Sequence, residues 1–493
     1  MSFSKTPETI MASSIDGGSA PTSARRALAL LIILAAQLML CMDLLIVVVA
    51  LPRIEQDLGF TPAALTWVLN AFGLAFGGLL LLGGRLGDMI GQVRAFRIGI
   101  VIFIAASLLG GLAPTAAILV IARVLQGVGA ALAGPSVLAL VMVTARDTDE
   151  RARGLSLFIA VSSVGASAGL ILGGVLTELL SWRWSLPINV PIGAVVVMAI
   201  GELVAETHPK QARLDIGGAL TATLGSVALV YGFISAADYG WTSAGTIGSF
   251  VIAAAMVVTF FRIERRHGES LLDLNLVRNR SRLGGLGVMA LIVGVHFAVL
   301  FMLVQYLQRE LHYAPLVAGL AYLPLTMTVF VISHFVPKML GRFGPRSLLV
   351  SGSILVAASL IGFAFLGPDN AFFPSVFVPL LVHAAGIALV FAPGTVAIMD
   401  GVPDEHAGSA SGLLQMDQQI GGALGIAVIA SIYSFAVVPG EYTSGLPAAF
   451  GSGAAIALIS AVAAWYCVRN PIHTDRVVHD RKPDEPRATE CAD

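Results

Sequence analysis

Fourteen long apolar runs, separated by short polar ones, constrain this chain more than any other feature. They fall at 27–51, 63–84, 95–113, 116–144, 154–180, 185–205, 214–235, 243–261, 283–308, 315–337, 347–366, 373–398, 407–437 and 448–468. A bilayer-crossing helix needs about 20 apolar residues. In lipid the backbone is satisfied only by helices or closed barrels, and runs of this length predict helices. The chain is 57% hydrophobic and only 12% charged over 493 residues. A soluble domain carries about 25% charged residues, so a water-soluble globule of this size is excluded. Disorder is excluded by the apolar content. The expected fold class is an all-α polytopic membrane protein with 14 transmembrane helices.

The same composition narrows function. A net charge of −1 names no nucleic-acid partner. Cys41, Cys467 and Cys491 have no metal-ligand or disulfide spacing. Polar stretches between runs reach only about 20 residues, too short for a water-soluble catalytic domain. The deep ionisable residues are scattered over separate runs, whereas an enzyme needs them clustered. No enzyme activity, metal or cofactor is expected.

Lys and Arg set the orientation. With a cytoplasmic N-terminus, 25 of the 29 fall in cytoplasmic segments and three (Arg53, Arg183, Arg309) outside. Arg123 alone lies deep in a run. Both termini are therefore expected in the cytoplasm. The segment 399–406 runs against the pattern, with Asp400, Asp404 and Glu405 and no basic residue. Acidic residues contribute little to the rule, so the assignment stands.

A weak repeat is visible. LGDMIGQVR (86–94) follows run 2 and LGRFGPRS (340–347) follows run 10; both are short, Gly-punctuated and basic. If 214–261 is an inserted helix pair, these loops occupy equivalent places in two six-helix halves. The expected organisation is a disordered tail (1–26), a six-helix bundle (27–205), an inserted pair with a basic loop (206–282), a second six-helix bundle (283–468) and a C-terminal tail (469–493). Repeated halves of this kind place a substrate site at the midplane between them.

Five segments carry a family resemblance: LCMDLLIVVVALP (40–52), GRLGDMIGQVR (84–94), RVLQGVGAAL (123–132), GASAGLILGG followed by WRWSLPINVPIG (165–174 and 182–193), and VPDEHAGSASGLLQMDQQIGGALG (402–425). In this order and spacing the chain resembles the major facilitator superfamily, in its fourteen-span drug:proton antiporter branch. It departs from the branch at Leu45 and Val48, where Thr and Asn are usual, at Met89 for a basic residue, at Leu170 for the proline of a Gly-Pro pair, and at Gln418 for a basic residue.

Asp43 and Arg123 each lie eight residues from the outer end of their runs, about 12 Å deep at about 1.5 Å per residue. Equal depth permits a pair. A deep charge faces the bundle interior or a water-filled space. The pair is either a proton switch, in which separation from Arg123 lets Asp43 take a proton, or a fixed helix lock. Asp417 lies ten residues into its run, about 15 Å, beside Gln415, Gln418 and Gln419. An acid there without a cation is a candidate proton carrier, and a hydrogen-bonded structural acid is the alternative.

Asp88 and Arg94 sit in a turn with Gly91. An acid in that turn can face a helix N-terminus of the other bundle, and the resemblance implies a gate; fixing topology and turn is the alternative. Gly165, Gly169 and Gly173 repeat every four residues and let another helix approach closely. The resemblance implies a pliable gating helix at Gly169 and Gly173. His296, His334 and His383 are either proton relays or hydrogen-bonded interior groups. Trp182 and Trp184 are expected to anchor the membrane interface. Gln37, Asn70, Gln126, Asn189, His296, Gln305, Tyr306, Gln415 and Met416 are candidate substrate contacts, with helix packing as the alternative.

The resemblance implies a proton-coupled antiporter in the cytoplasmic membrane that exports lipophilic or amphipathic small molecules, with protons and lipid as partners and the monomer as functional unit. An exporter or proton symporter of a native metabolite, peptide or lipid is the other reading.

Overall fold

The computed structural model describes residues 23–207, 215–266, 279–402 and 407–469. The two tails (1–22 and 470–493), the basic stretches 208–214 and 267–278, and Asp404 and Glu405 of the acidic loop lie outside the described residues. The described residues are predominantly helical. The first eight helices are α1 (Ser23–Leu58), α2 (Trp67–Ile90), α3 (Gln92–Gly111), α4 (Ala116–Thr144), α5 (Thr148–Leu179), α6 (Asn189–Leu203), α7 (Ile216–Tyr239) and α8 (Ala244–Arg266). Then come α9 (Arg280–Arg309), the short α10 (Pro315–Leu320), α11 (Leu323–Ala364), α12 (Phe377–Met399), α13 (Ala407–Ala436) and α14 (Leu446–Cys467).

Among the described residues, 13 helical segments are long and apolar enough to cross a membrane. The runs predicted at 315–337 and 347–366 form one such segment, Pro315–Ala364, of 50 residues. At about 1.5 Å per residue it is far longer than a roughly 30 Å hydrocarbon core. Gly344 interrupts it, with φ 74° and ψ 165°. Gly91, between α2 and α3, has φ 98° and ψ 142°. These are the glycines of the two repeated loops. Only glycine enters this left-handed region without strain, so both turns depend on it.

α1 to α6 pack together through α2 and α3 against α4, α1 against α5, and α6 against α1 and α3. α9, α11, α12, α13 and α14 form a second group. α2 meets α13, and α5 meets α10, where the groups join. The inserted pair is not peripheral: α7 lies on both α2 and α13, with α8 outside it. Val230 and Ile234 of α7 pack with Leu74 of α2 and Ala427 of α13. Ser431 donates to the carbonyl of Phe233 at 2.6 Å.

Small residues bring the axes together, because lipid supplies no hydrophobic drive between helices. A Cβ at Gly169 or Gly173 would overlap the backbone carbonyls of Met42 or Ile46 on α1. Leu170, where the family has proline, is buried, and its carbonyl touches Gly319 of α10. The glycine face thus seats α5 on α1 while the adjacent residue meets the other group.

Candidate functional site

α1 carries Asp43 and α4 carries Arg123, and both side chains are fully buried. Arg123 Nη1 donates to Asp43 Oδ2 at 2.6 Å. Asp43 Oδ1 accepts from Gln126 Nε2 at 2.9 Å and from Asn189 Nδ2 at 2.6 Å. The spacing of RxxQ places Gln126 one helical turn beyond Arg123, on the same face. The WRWSLPIN segment ends where α6 begins, so Asn189 enters from the first residue of that helix. Ser107 of α3 completes the cluster and accepts from Gln126 at 2.8 Å.

Arg123 Nε donates to the carbonyl of Val68 at 2.9 Å, and its guanidinium stands over Phe72, 4.6 Å from the ring centroid. Charge pairing, three donors on the carboxylate and a carbonyl on the guanidinium offset the desolvation of two buried charges. Gln126 and Asn189, expected to line a substrate cavity, instead hold Asp43. Ser107 had no sequence signal, since a lone Ser in an apolar run is ordinary.

Asp417 is in the opposite condition. It is half-buried on α13, makes no hydrogen bond or ion pair with any described residue, and its Oδ2 is shut away from solvent. Two residues further along the same helix, Gln419 lines a small cavity of about 20 Å³, room for about one water. Leu44 of α1, Leu69 and Asn70 of α2, and Phe297 of α9 complete most of the lining. The cavity therefore lies between the two helix groups. Both polar atoms of the buried Asn70 amide lack a hydrogen-bond partner. An unsatisfied buried amide is costly and marks a place prepared for a polar ligand or water.

The remaining expected site residues lie elsewhere. Met416 is half-buried and Gln415 exposed, both beside Asp417 on α13. Gln37 donates to Ser162 at 2.9 Å and so ties α1 to α5. Gln305 accepts from Arg309 at 2.8 Å, and Tyr306 donates to the carbonyl of Gly367 at 2.8 Å. Both are buried. His296 bonds His383. Trp184 is exposed as an interface anchor would be, but Trp182 is buried and donates to Asp57 at 3.0 Å.

Asp88 is exposed and accepts from Gln92 at 2.9 Å. The acid at a helix N-terminus in this region is Glu206, after α6. It accepts from the backbone N–H groups of Val93 at 2.9 Å and Arg94 at 3.0 Å. A carboxylate there is favoured by the unsatisfied N–H groups and the helix dipole. The sequence pointed to Asp88 because it lies inside the motif; Glu206 is distant along the chain.

At the opposite end of the bundle three polar ties join the two groups. Glu55 of α1 pairs with Arg309 of α9. Gln308 donates to the carbonyl of Val49 at 2.8 Å, and the N–H of Leu316 donates to Glu178 at 3.0 Å. The sequence placed Arg309 in an outer loop without a partner.

Residues 33–426 match the family model described as Major Facilitator Superfamily. The chain is 37% identical to the MFS-type transporter EfpA of Mycobacterium tuberculosis over 80% of this chain and 75% of that protein. It is 38% identical to the puromycin resistance protein pur8 of Streptomyces alboniger over 83% of this chain and 82% of that one. Its fold matches the crystal structure of a bacterial homologue of the human lysosomal transporter Spinster, with a TM-score of 0.67, 14% identity, and coverage of 90% of this chain and 97% of that chain. This multi-pass membrane protein belongs to the major facilitator superfamily.

Proposed function

We propose that this protein exports amphipathic small molecules of the antibiotic and secondary-metabolite kind, in exchange for protons. The relatives support the direction and the cargo class: one is named for puromycin resistance, and another, 34% identical, as the cephamycin export protein of Amycolatopsis lactamdurans. The observation that carries the proton coupling is the contrast between two membrane-depth acids. Asp43 is neutralised by Arg123 and enclosed. Asp417 has no partner, and Gln419 of the same helix lines the cavity between the helix groups.

In this reading Asp417 takes a proton or meets cargo. Asp43 holds α1, α4 and α6 as one body and is released only when Arg123 moves. One charge crossing 100 mV supplies about 2.3 kcal/mol. The bias of Lys and Arg puts Arg94 and both termini on the cytoplasmic side, so the Glu55–Arg309 end faces out. In this reading the ties at that end close the outer side, and rocking of the two groups about the cavity breaks them and opens it. Counting the arms on either side of Gly344 as separate crossings gives fourteen spans. The protein works in the cytoplasmic membrane as a monomer with no resident cofactor.

The test is ethidium uptake into inverted vesicles energised by a pH gradient. Uptake should collapse with a protonophore and be lost in Asp417→Asn. Uptake that is indifferent to the gradient overturns proton coupling.

A further inference from the structure

The second helix group holds a polar chain of its own, separate from Asp43 and Asp417. His296 lies 16 residues into the 30-residue α9, near its middle. Its Nδ1 is 3.1 Å from Nε2 of His383 on α12, with the rings stacked at an interplanar angle of 14°. Nδ1 of His383 is 3.1 Å from Oγ of Ser359 on α11. Ser359 Oγ lies 2.7 Å from the carbonyl of Val356, to which it donates.

With the Ser359 hydroxyl proton directed at the Val356 carbonyl, proton accounting assigns a tautomer to each ring. A hydroxyl has one proton. Ser359 gives it to Val356, so toward His383 it only accepts, and His383 carries its proton on Nδ1. Neutral His383 therefore presents a lone pair at Nε2. His296 must donate from Nδ1, which leaves its own Nε2 as an acceptor. That nitrogen has no hydrogen-bond partner among the described residues, and neither ring has an ionic one. His383 is fully buried, whereas His296 is half-buried. The next residue, Phe297, lines the cavity opposite Asn70, and its ring stands 5.9 Å from the His296 ring.

We propose that His296 is a cargo-binding residue whose Nε2 accepts a hydrogen bond from an N–H or O–H group of the transported molecule, and that His383 and Ser359 are positioning residues that hold its tautomer. The proposal rests on the reading of the space between the helix groups as the cargo route. It selects amphipathic cargo that carries a donor over equally apolar cargo without one.

Two measurements on the full-length protein test it. The first is ¹⁵N-histidine NMR in lipid nanodiscs, with His296 assigned by the signal missing from His296→Gln. His296 should be protonated at Nδ1, and Ser359→Ala should move the proton toward Nε2; an Nε2–H tautomer in the parent overturns the proposal. The second is transport in proteoliposomes of ethidium, which carries two aromatic amines, and of tetraphenylphosphonium, which has no N–H or O–H. His296→Phe and Ser359→Ala should raise KM for ethidium about tenfold, the loss of one hydrogen bond to a charged partner, with kcat nearly kept. Tetraphenylphosphonium should change less than about twofold, and His296→Gln, which can still accept, should recover most of the ethidium KM. Ser359→Ala removes little volume, so the test survives if His296→Phe folds poorly. Equal losses for both probes overturn the proposal alone. A parent protein that moves neither probe overturns the cargo-route reading beneath it.

Discussion

Arg123 of α4 and Asp43 of α1 form an ion pair at 2.6 Å with neither side chain exposed. Removing one member leaves the other charge buried without its counter-ion, which costs about 3–5 kcal/mol. Asp43→Asn and Arg123→Gln should each lower the thermal midpoint of the purified protein. The double variant should be more stable than the sum of the two losses predicts, by about 1–3 kcal/mol of coupling energy. Thermal unfolding of the four proteins in one detergent checks this, and additive losses would rule the pair out as an energetic unit.

Asp417 should behave differently. It has no hydrogen bond to lose, so Asp417→Asn is expected to leave the thermal midpoint within about 0.5 kcal/mol of the parent while abolishing gradient-driven transport. The two acids are thereby separated in one pair of assays, since stability falls with Asp43 and coupling falls with Asp417.

Glu55 and Arg309 join the two helix groups at one end and are partly exposed, so their worth is modest. Glu55→Gln should raise the population open at that end about threefold. Spin labels at Arg53→Cys and Glu310→Cys, read by pulsed electron resonance, should show a longer distance. Exchange of the charges in Glu55→Arg with Arg309→Glu should restore the parent distribution.

Gly173 sits against the backbone of Ile46, whereas Gly451 has open space where a side chain would begin. Gly173→Leu is expected to destabilise by at least about 1–3 kcal/mol through overpacking, and Gly173→Ala by less. Gly451→Ala should be neutral or slightly stabilising, because alanine is the better helix former. Folded yield and unfolding midpoint read both.

Glu206 caps the start of α3 through two backbone N–H groups. Glu206→Ala should cost about 0.5–2 kcal/mol, whereas Asp88→Ala, an exposed residue bonded to the Gln92 side chain, should cost less. Hydrogen exchange at Val93 and Arg94 distinguishes the two directly.

The extents of most membrane helices were legible in the sequence, because a bilayer demands about 20 apolar residues per crossing and tolerates few departures; the fourteen expected runs appear among the described residues as 13 segments. The run predicted at 116–144 coincides with α4, and most others differ by a few residues. Pairing of Asp43 with Arg123 was legible as equal depth, since a deep charge must be met by something. Equal depth does not fix azimuth. Only the tertiary packing turned Gln126 and Asn189 onto Asp43, drew Ser107 into the same cluster, and left Asp417 and Asn70 without partners. The partners of Glu55, Glu206 and His383 were hidden for the same reason: each bond joins segments distant along the chain, and no local pattern records which of them meet. Hydropathy fixes where the chain enters and leaves the membrane. The rotation of each helix about its own axis, and hence the chemistry of the interior, is set by small-residue contacts between helices.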